Sequence, residues 1–479
     1  MNFARDVVDA APPERRALVE LPRAGARREW SFGEVSDRSA RLATALVRQG
    51  VTKGDVVLTL IGNRPEWVLT MVACFRIGAI ALAGNEQLRA KDLRLRLDAA
   101  QPKLIVADER NLDELSGARP DCPVLTVPDE SLYDHDPAPA VELEPTDPSL
   151  ITFTSGTTGE PKGVVHGQRY LPGQRLQAEH WLDARQGDLV WCTAATGWSK
   201  SARNVFIAPW LRGAAALLHD ARFDPAERLE LLAAERVNVL CMAPTEYRVI
   251  AKRAEPSPLP ELRTLVAAGE ALNPDVIRAF REGTGIEIRD GYGQTETGQL
   301  TGNPVDRPVR PGSMGLPLPG VQLEVIDGEL VLTDPRTDPT FFVGHLDGEA
   351  APTDEPWHTG DRVSRDEDGY LYFEGRSDDL IISSGYRIGP FEVESALVSH
   401  QAVAEAAVVA APDEERGSVV RAVVVLRDGF SPSDELASEL QRHVRDETAP
   451  YKYPRIVDFA AELPKTASGK VQRALLRSQ

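Results

Sequence analysis

Ten residues constrain this chain more than any others: Thr154-Ser155-Gly156-Thr157-Thr158-Gly159-Glu160-Pro161-Lys162-Gly163. They follow the apolar, strand-like run Leu150-Ile151-Thr152-Phe153 and hold three glycines, four hydroxyls and one lysine. Glycine lets main-chain N–H groups approach a polyanion closely, hydroxyls add donors, and lysine adds charge. A strand that breaks into such a loop has the chemistry of a triphosphate cradle. The spacing is not that of a Walker loop, so another architecture is expected to grip the phosphates. The run by itself also fits a solvated polar turn.

A chain of 479 residues is too long for one ordinary core, so two or more domains are expected. Its 42% hydrophobic and 27% charged content describes a globular protein. The net charge of −19 excludes a non-specific nucleic-acid binder, which needs a basic excess to displace counterions. Local basic sites in an acidic chain remain compatible with ATP or CoA. Cys74, Cys122, Cys192 and Cys241 are scattered without metal-ligand or redox spacing, which fits reduced structural thiols in a cytoplasmic protein. The N-terminus carries Arg5 and Asp6 and no apolar signal region. The most apolar stretch, residues 68–84, is interrupted by Arg76 and Gly78 and is too short to span a membrane.

Ser31 and Glu34 form a capping-box pattern ahead of Val35, Leu42, Ala43, Leu46 and Val47, with Gly50 as the stop, which predicts a helix over 32–49. Val56-Val57-Leu58-Thr59-Leu60-Ile61 reads as a strand, followed by a helix from Pro65 and the strand Ile80-Ala81-Leu82-Ala83. Helical 91–97 leads to the strand Leu104-Ile105-Val106. This alternation predicts an α/β fold with layered, mostly parallel sheets. Residues 134–148, rich in proline and acid, read as a loop. Ser377-Asp378-Asp379 interrupts the apolar pattern, and about 100 residues of α+β character follow it. The chain is therefore divided into a large N-terminal domain, 1–377, and a small mobile C-terminal domain, 378–479. The second carries helices near 390–399 and 433–446 and strands at 406–409 and 419–426.

Three further runs carry chemistry. In Asp290-Gly291-Tyr292-Gly293-Gln294-Thr295-Glu296-Thr297-Gly298, glycines frame an aromatic face able to stack on a base, and Glu296 is a carboxylate suited to Mg2+. Alone, the run also fits a structural turn. Trp357-His358-Thr359-Gly360-Asp361 supplies a carboxylate that can accept from both ribose hydroxyls, or forms a buried turn. Pro464-Lys465-Thr466-Ala467-Ser468-Gly469-Lys470 offers a lysine on a glycine-containing loop, or simply a basic solvated loop.

Together with Gly375-Arg376 and the residues up to Arg387, these runs stand in the order and approximate spacing of the adenylate-forming superfamily, which the chain resembles over nearly its whole length. That superfamily contains acyl-CoA synthetases, peptide-synthetase adenylation domains and luciferases. Thr196-Gly197-Trp198, Gly291 to Gly298, Ser383-Ser384-Gly385-Tyr386-Arg387-Ile388-Gly389-Pro390 and Ala449-Pro450-Tyr451-Lys452-Tyr453-Pro454-Arg455 look most like medium-chain acyl-CoA synthetases. The resemblance implies two half-reactions. A carboxylate first attacks the α-phosphate of ATP, giving acyl-AMP and pyrophosphate; the CoA thiol then displaces AMP.

It also implies roles. Thr154, Ser155, Gly156, Thr157, Thr158, Gly159 and Lys162 hold the β- and γ-phosphates. Tyr292 stacks on adenine, with Gly269, Glu270 and Ala271 lining the base and Asp290, Gly291, Gly293 and Gln294 framing it. Thr295 contacts the α-phosphate or the substrate carboxylate, Glu296 holds Mg2+, and Asp361 and Arg376 contact the ribose. Lys470 bridges the attacking carboxylate and the α-phosphate. Asp378 is the hinge about which the C-terminal domain turns between the two steps, withdrawing Lys470 and bringing Ser384, Gly385 and Tyr386 to the CoA tunnel. Arg416 matches a CoA-contacting arginine, with a structural ion pair as the other reading, and Arg445 is a second candidate.

Acetyl-CoA synthetases have tryptophan where this chain has Gly293, so an open pocket for a longer or aromatic acyl group is expected. Trp198, Ser199, Lys200 and Ala202 are its expected walls, with Val205 beside them. Trp198 also fits ordinary core packing. Lys200 either snorkels to solvent or favours a substrate with a second polar group. The stretch between Leu330 and Trp357 is compressed and acidic, Ile382 replaces a lysine of many relatives, and the N-terminal region is short. A ligase that loads a carrier protein and a degenerate nucleotide-binding regulatory protein are the alternatives. The expected partners are a carboxylic acid, ATP and CoA, with the chain a monomer or homodimer.

Overall fold

The computed structural model describes residues 1–154, 162–270, 272, 274–383, 386–413, 416–465 and 471–477, without the side chains of Asp378 and Arg387. The capping box closes as expected: Glu34 N donates 3.2 Å to Ser31 Oγ, and Ser31 N donates 2.8 Å to the Glu34 carboxylate. It starts the helix Phe32–Arg48, which buries Val35, Leu42, Ala43 and Leu46. The apolar stretch of residues 68–84 becomes the helix Pro65–Ile77, buried on every side, then the strand Ile80–Gly84. Gly78 ends that helix in the left-handed region at φ 72°, where a Cβ would be strained. Among the described residues, no helix is long and apolar enough to cross a membrane.

Two large sheets make the body. In one, the parallel strands Val124–Val127, Leu104–Asp108, Val56–Leu60, Ile80–Gly84 and Pro148–Thr154 continue into antiparallel Lys162–Gly167 and Gly344–His345. In the other, parallel Arg16–Leu21, Ala215–His219, Leu189–Cys192, Val239–Met242, Thr264–Ala268 and Ile288–Tyr292 are flanked by short antiparallel strands. Side chains from both sheets, Val57, Ala81 and Leu104 with Val190, Ala216 and Val266, share one buried core. A four-stranded antiparallel sheet, Leu323–Ile326, Glu329–Leu332, Trp357–Arg365 and Leu371–Arg376, follows. Trp357 to Asp361 is therefore strand, not the buried turn that the pentapeptide also allowed.

Beyond it, Ile381, Ile388, Val393, Leu397, Val403, Val408, Val424, Leu440 and Val444 form a separate core. Its strands Val403–Asp413, Gly417–Leu426 and Ile456–Phe459 and helices Pro390–Ser399 and Asp434–Glu447 follow the expected order. The end of the predicted loop 134–148 differs by one residue: Pro148 opens a strand opposite Gly167.

Candidate active site

Pro148–Thr154 and Lys162–Gly167 pair antiparallel, with Thr154 opposite Lys162 and the lysine side chain exposed. The expected phosphate donors Ser155, Gly156, Thr157, Thr158 and Gly159 lie outside the described residues, as do Ala271, Ser384, Gly385 and Lys470. Gly163 takes a close approach: a Cβ there would stand 2.3 Å from Leu346 Cδ1.

Asp361 is the centre of the best-ordered cluster. Strand register sets it opposite Arg376. Its Oδ1 accepts from Arg376 Nη1 at 3.1 Å, and its Oδ2 accepts from the Tyr292 hydroxyl at 2.5 Å and from Gln294 Nε2 at 2.9 Å. Gln294 Nε2 also donates to Thr359 O at 2.8 Å, while its Oε1 accepts from the Trp357 indole at 3.0 Å. Burial pushes the Asp361 carboxyl above its usual range although the Arg376 charge pulls it down. Burial, then the Asp361 charge, pushes the Tyr292 hydroxyl far up. Three runs separated in the sequence are thus locked into one surface of carboxylate, phenol and guanidinium.

Between them, Gly298 N donates to Gln294 O and Gln294 N to Thr297 Oγ1, closing a tight loop. A Cβ at Gly293 would lie 1.7 Å from Gly298 O. This corrects the expectation of open space at that position. The backbone of the loop fills it, and glycine is required there by close approach. Thr295 and Glu296 are half-buried. Among the described residues the Glu296 carboxylate makes no hydrogen bond, and only its main-chain oxygen is engaged, by Phe342 N at 2.8 Å. An unengaged carboxylate at the crevice rim fits the oxygen chemistry of Mg2+.

Gly269, exposed at φ 102°, ends the strand Thr264–Ala268. Beside it the Glu270 carboxylate accepts from Thr245 Oγ1 at 3.0 Å and Arg248 Nη2 at 2.8 Å. Burial raises its carboxyl, but the Arg248 charge overrides this and holds it below the usual range. Asp290 is buried, and burial pushes its carboxyl well above the usual range. Its Oδ1 accepts from Gly291 N at 2.9 Å. Trp198 and Ser199 are half-buried, and Trp198 lies outside the packed core, which removes the core reading of that ring. Ala202 and Val205 are buried in the main core. Lys200 does not simply snorkel to water: its Nζ donates to Ala268 O at 3.0 Å.

In the C-terminal part, Asp378 lies in the helical turn Ser377–Asp379. Tyr386 stacks on Tyr451 with centroids 4.3 Å apart, and the Arg445 guanidinium lies 4.2 Å over Tyr453. Arg416 N donates to Asp413 Oδ1 at 2.8 Å.

A second buried polar cluster has no counterpart in the motifs. His166, Arg203 and Asp338 are all at most 4% exposed. Thr340 Oγ1 reaches both Thr297 O at 2.5 Å and Asp338 Oδ1 at 2.7 Å, which ties this cluster to the back of the Gly293-to-Gly298 loop. Burial and the Arg203 charge hold His166 down at about 3, hence neutral. Main-chain groups of Thr295 and Thr340 face its ring without reaching hydrogen-bond geometry. Asp338 lies in the acidic stretch after Leu330, while nothing in the sequence singled out His166 or Arg203.

The AMP-binding enzyme family matches residues 5–336, and the AMP-binding enzyme C-terminal domain matches residues 392–470. Acyl-coenzyme A synthetase ACSM4, mitochondrial, of Rattus norvegicus is 38% identical, covering all of this chain and 90% of its own length. The uncharacterized acyl–CoA ligase YtcI of Bacillus subtilis is 39% identical over 98% of this chain and 94% of its own. The anthranilate CoA ligase AuaEII, solved in complex with anthranoyl-AMP, superposes with a TM-score of 0.89 at 28% identity, covering 99% of this chain and 96% of that one. The chain belongs to the AMP-binding, adenylate-forming enzyme family.

Proposed function

We propose that this AMP-forming acid–CoA ligase activates a medium-chain fatty or aromatic carboxylic acid with ATP and passes the acyl group to CoA. The carrying observation is the Tyr292–Gln294–Asp361–Arg376 cluster, whose polar groups hold one another in place. Adenylation is a substitution at phosphorus, so positioning and charge stabilisation do most of the catalysis. Asp361 and Arg376 would exchange part of their mutual bonding for the ribose hydroxyls, and Tyr292 would offer its ring face to the base. Thr295 and Lys470 would hold the substrate carboxylate and α-phosphate oxygens, a kind of preorganised contact worth about 3 kcal/mol per donor. Glu296 would hold Mg2+, which supplies neutralising charge to the triphosphate. Residues 378–479 would turn about Asp378 so that Ser384, Gly385, Tyr386, Arg416 and Arg445 face CoA in the second step.

The test is carboxylate-dependent pyrophosphate release over straight-chain acids from acetate to dodecanoate plus benzoate and phenylacetate, with and without CoA. CoA-dependent AMP release, best on medium-chain or aromatic acids, is expected. Preference for acetate would refute the acid assignment and keep the reaction class. Pyrophosphate release that CoA never turns into acyl-CoA would favour the carrier-protein ligase.

A further inference from the structure

The parallel strands Leu189–Cys192, Val239–Met242, Thr264–Ala268 and Ile288–Tyr292 end together on one edge of the nine-stranded sheet. Open α/β sheets take ligands in the crevice outside their carboxyl ends. Lys200 lies there, on the short helix Ser199–Ala202. Its Nζ bonds Ala268 O at 3.0 Å and stands 3.2 Å from where a Gly269 Cβ would be. Gly269 is exposed and Lys200 itself half-buried. Ala268 pairs with Gly291 in register. The strand whose end carbonyl holds the ammonium therefore runs one strand spacing, ~4.8 Å, from the main chain leading into Tyr292.

An ammonium carries three donors, and among the described residues only Ala268 O takes one. No described carboxylate pairs with it. Glu270 is committed to Arg248 and Thr245, and the Asp290 carboxylate accepts from Gly291 N. Among the described residues Lys200 therefore has no hydrogen-bonded counter-ion of its own. An all-hydrocarbon acyl chain laid against that ammonium would desolvate it without compensation. A second carboxylate on the substrate would supply both the missing acceptor and the missing charge.

We infer that Lys200 reads a distal anionic group, so that the preferred acid is a dicarboxylate activated at one end and docked on the lysine at the other. The inference rests on the acid–CoA ligase reading and narrows its acid. The test uses the full chain with ATP and CoA and compares adipate with hexanoate and terephthalate with benzoate. It is run on the wild type, Lys200→Met and Lys200→Arg.

In the wild type, kcat/KM should favour the diacid of at least one pair by ten-fold or more. Lys200→Met should lower that ratio at least ten-fold and Lys200→Arg should largely restore it, with KM for ATP shifting less than two-fold. A wild type that prefers both monoacids, or a ratio that Lys200→Met leaves intact, overturns the inference. Acyl-CoA formed from monoacids alone leaves the ligase reading standing while this inference falls. Silence with every acid brings down both. Should Lys200→Met fold poorly by circular dichroism, the wild-type preference and its retention in Lys200→Arg still decide.

Discussion

Two buried polar clusters flank the loop from Gly293 to Gly298, and they are built on opposite terms. At Asp361 every carboxylate oxygen has a partner: Tyr292, Gln294 and Arg376 converge on it, and of this cluster's buried side-chain atoms Arg376 Nε alone lacks one among the described residues. Behind the loop, both His166 ring nitrogens, Arg203 Nε and Nη1, and Asp338 Oδ2 have no hydrogen-bond partner among the described residues. A satisfied buried network rigidifies its surroundings, whereas unmet buried groups cost the fold desolvation. The first cluster therefore holds its own groups in place at small cost, and the second weakens the support on which that loop rests.

The largest effect should come from breaking the first. Asp361→Asn keeps the shape but removes the charge that orders Arg376 and the Tyr292 hydroxyl. The rate of ATP–pyrophosphate exchange should fall about a hundred-fold, or ~2.7 kcal/mol of transition-state stabilisation. Exchange within three-fold of wild type would show that the cluster is structural only.

The converse change at the second cluster should cost nothing. Arg203→Met replaces a guanidinium with unmet donors by an apolar chain of similar reach, so thermal unfolding should occur at the same or a higher temperature. Burial holds His166 neutral and pushes the Asp338 carboxyl up to about 7, so below that pH Arg203 is removed as a lone buried charge and the cost of about 3–5 kcal/mol for breaking a buried ion pair does not apply. A drop in unfolding temperature equivalent to more than ~2 kcal/mol would mean that Arg203 has a partner in solution, and the contrast between the clusters would collapse.

The smallest effect is one of pH. Burial pushes the Asp338 carboxyl up to about 7, above the value near 4 that it has in an unfolded chain. Between those limits the folded protein holds a proton that the unfolded chain releases. The contribution of Asp338 to stability is thus fully present below about pH 4 and is lost as pH rises through 7. Asp338→Asn should flatten the stability curve over that window, measured by denaturant titration at several pH values. An unchanged slope would place the titration on another group.

Much of the layout was legible because its causes are local. The Ser31–Glu34 box and the order of the C-terminal elements lie in short stretches that fix their own dihedrals and hydrogen bonds. The chemistry-bearing runs around Thr154, Tyr292 and Asp361 were likewise visible as residue types at fixed spacing. Trp357 to Asp361 was ambiguous because a strand with a glycine in it looks like a turn until its neighbours are known. Gly293 was misread for a related reason. An absent side chain signals either space or close approach, and only the position of Gly298 O distinguishes them.

The sequence by itself determined the class of chemistry and the secondary elements, since both depend on residue identity over a few positions. Tertiary structure alone decided that Tyr292 and Asp361, 69 residues apart, share a hydrogen bond. It also set Lys200 at the end of the Ala268 strand and buried His166, Arg203 and Asp338 behind the loop. Those outcomes follow from strand register and sheet packing, and register is the sum of many contacts along two whole strands, which no short run of residues encodes.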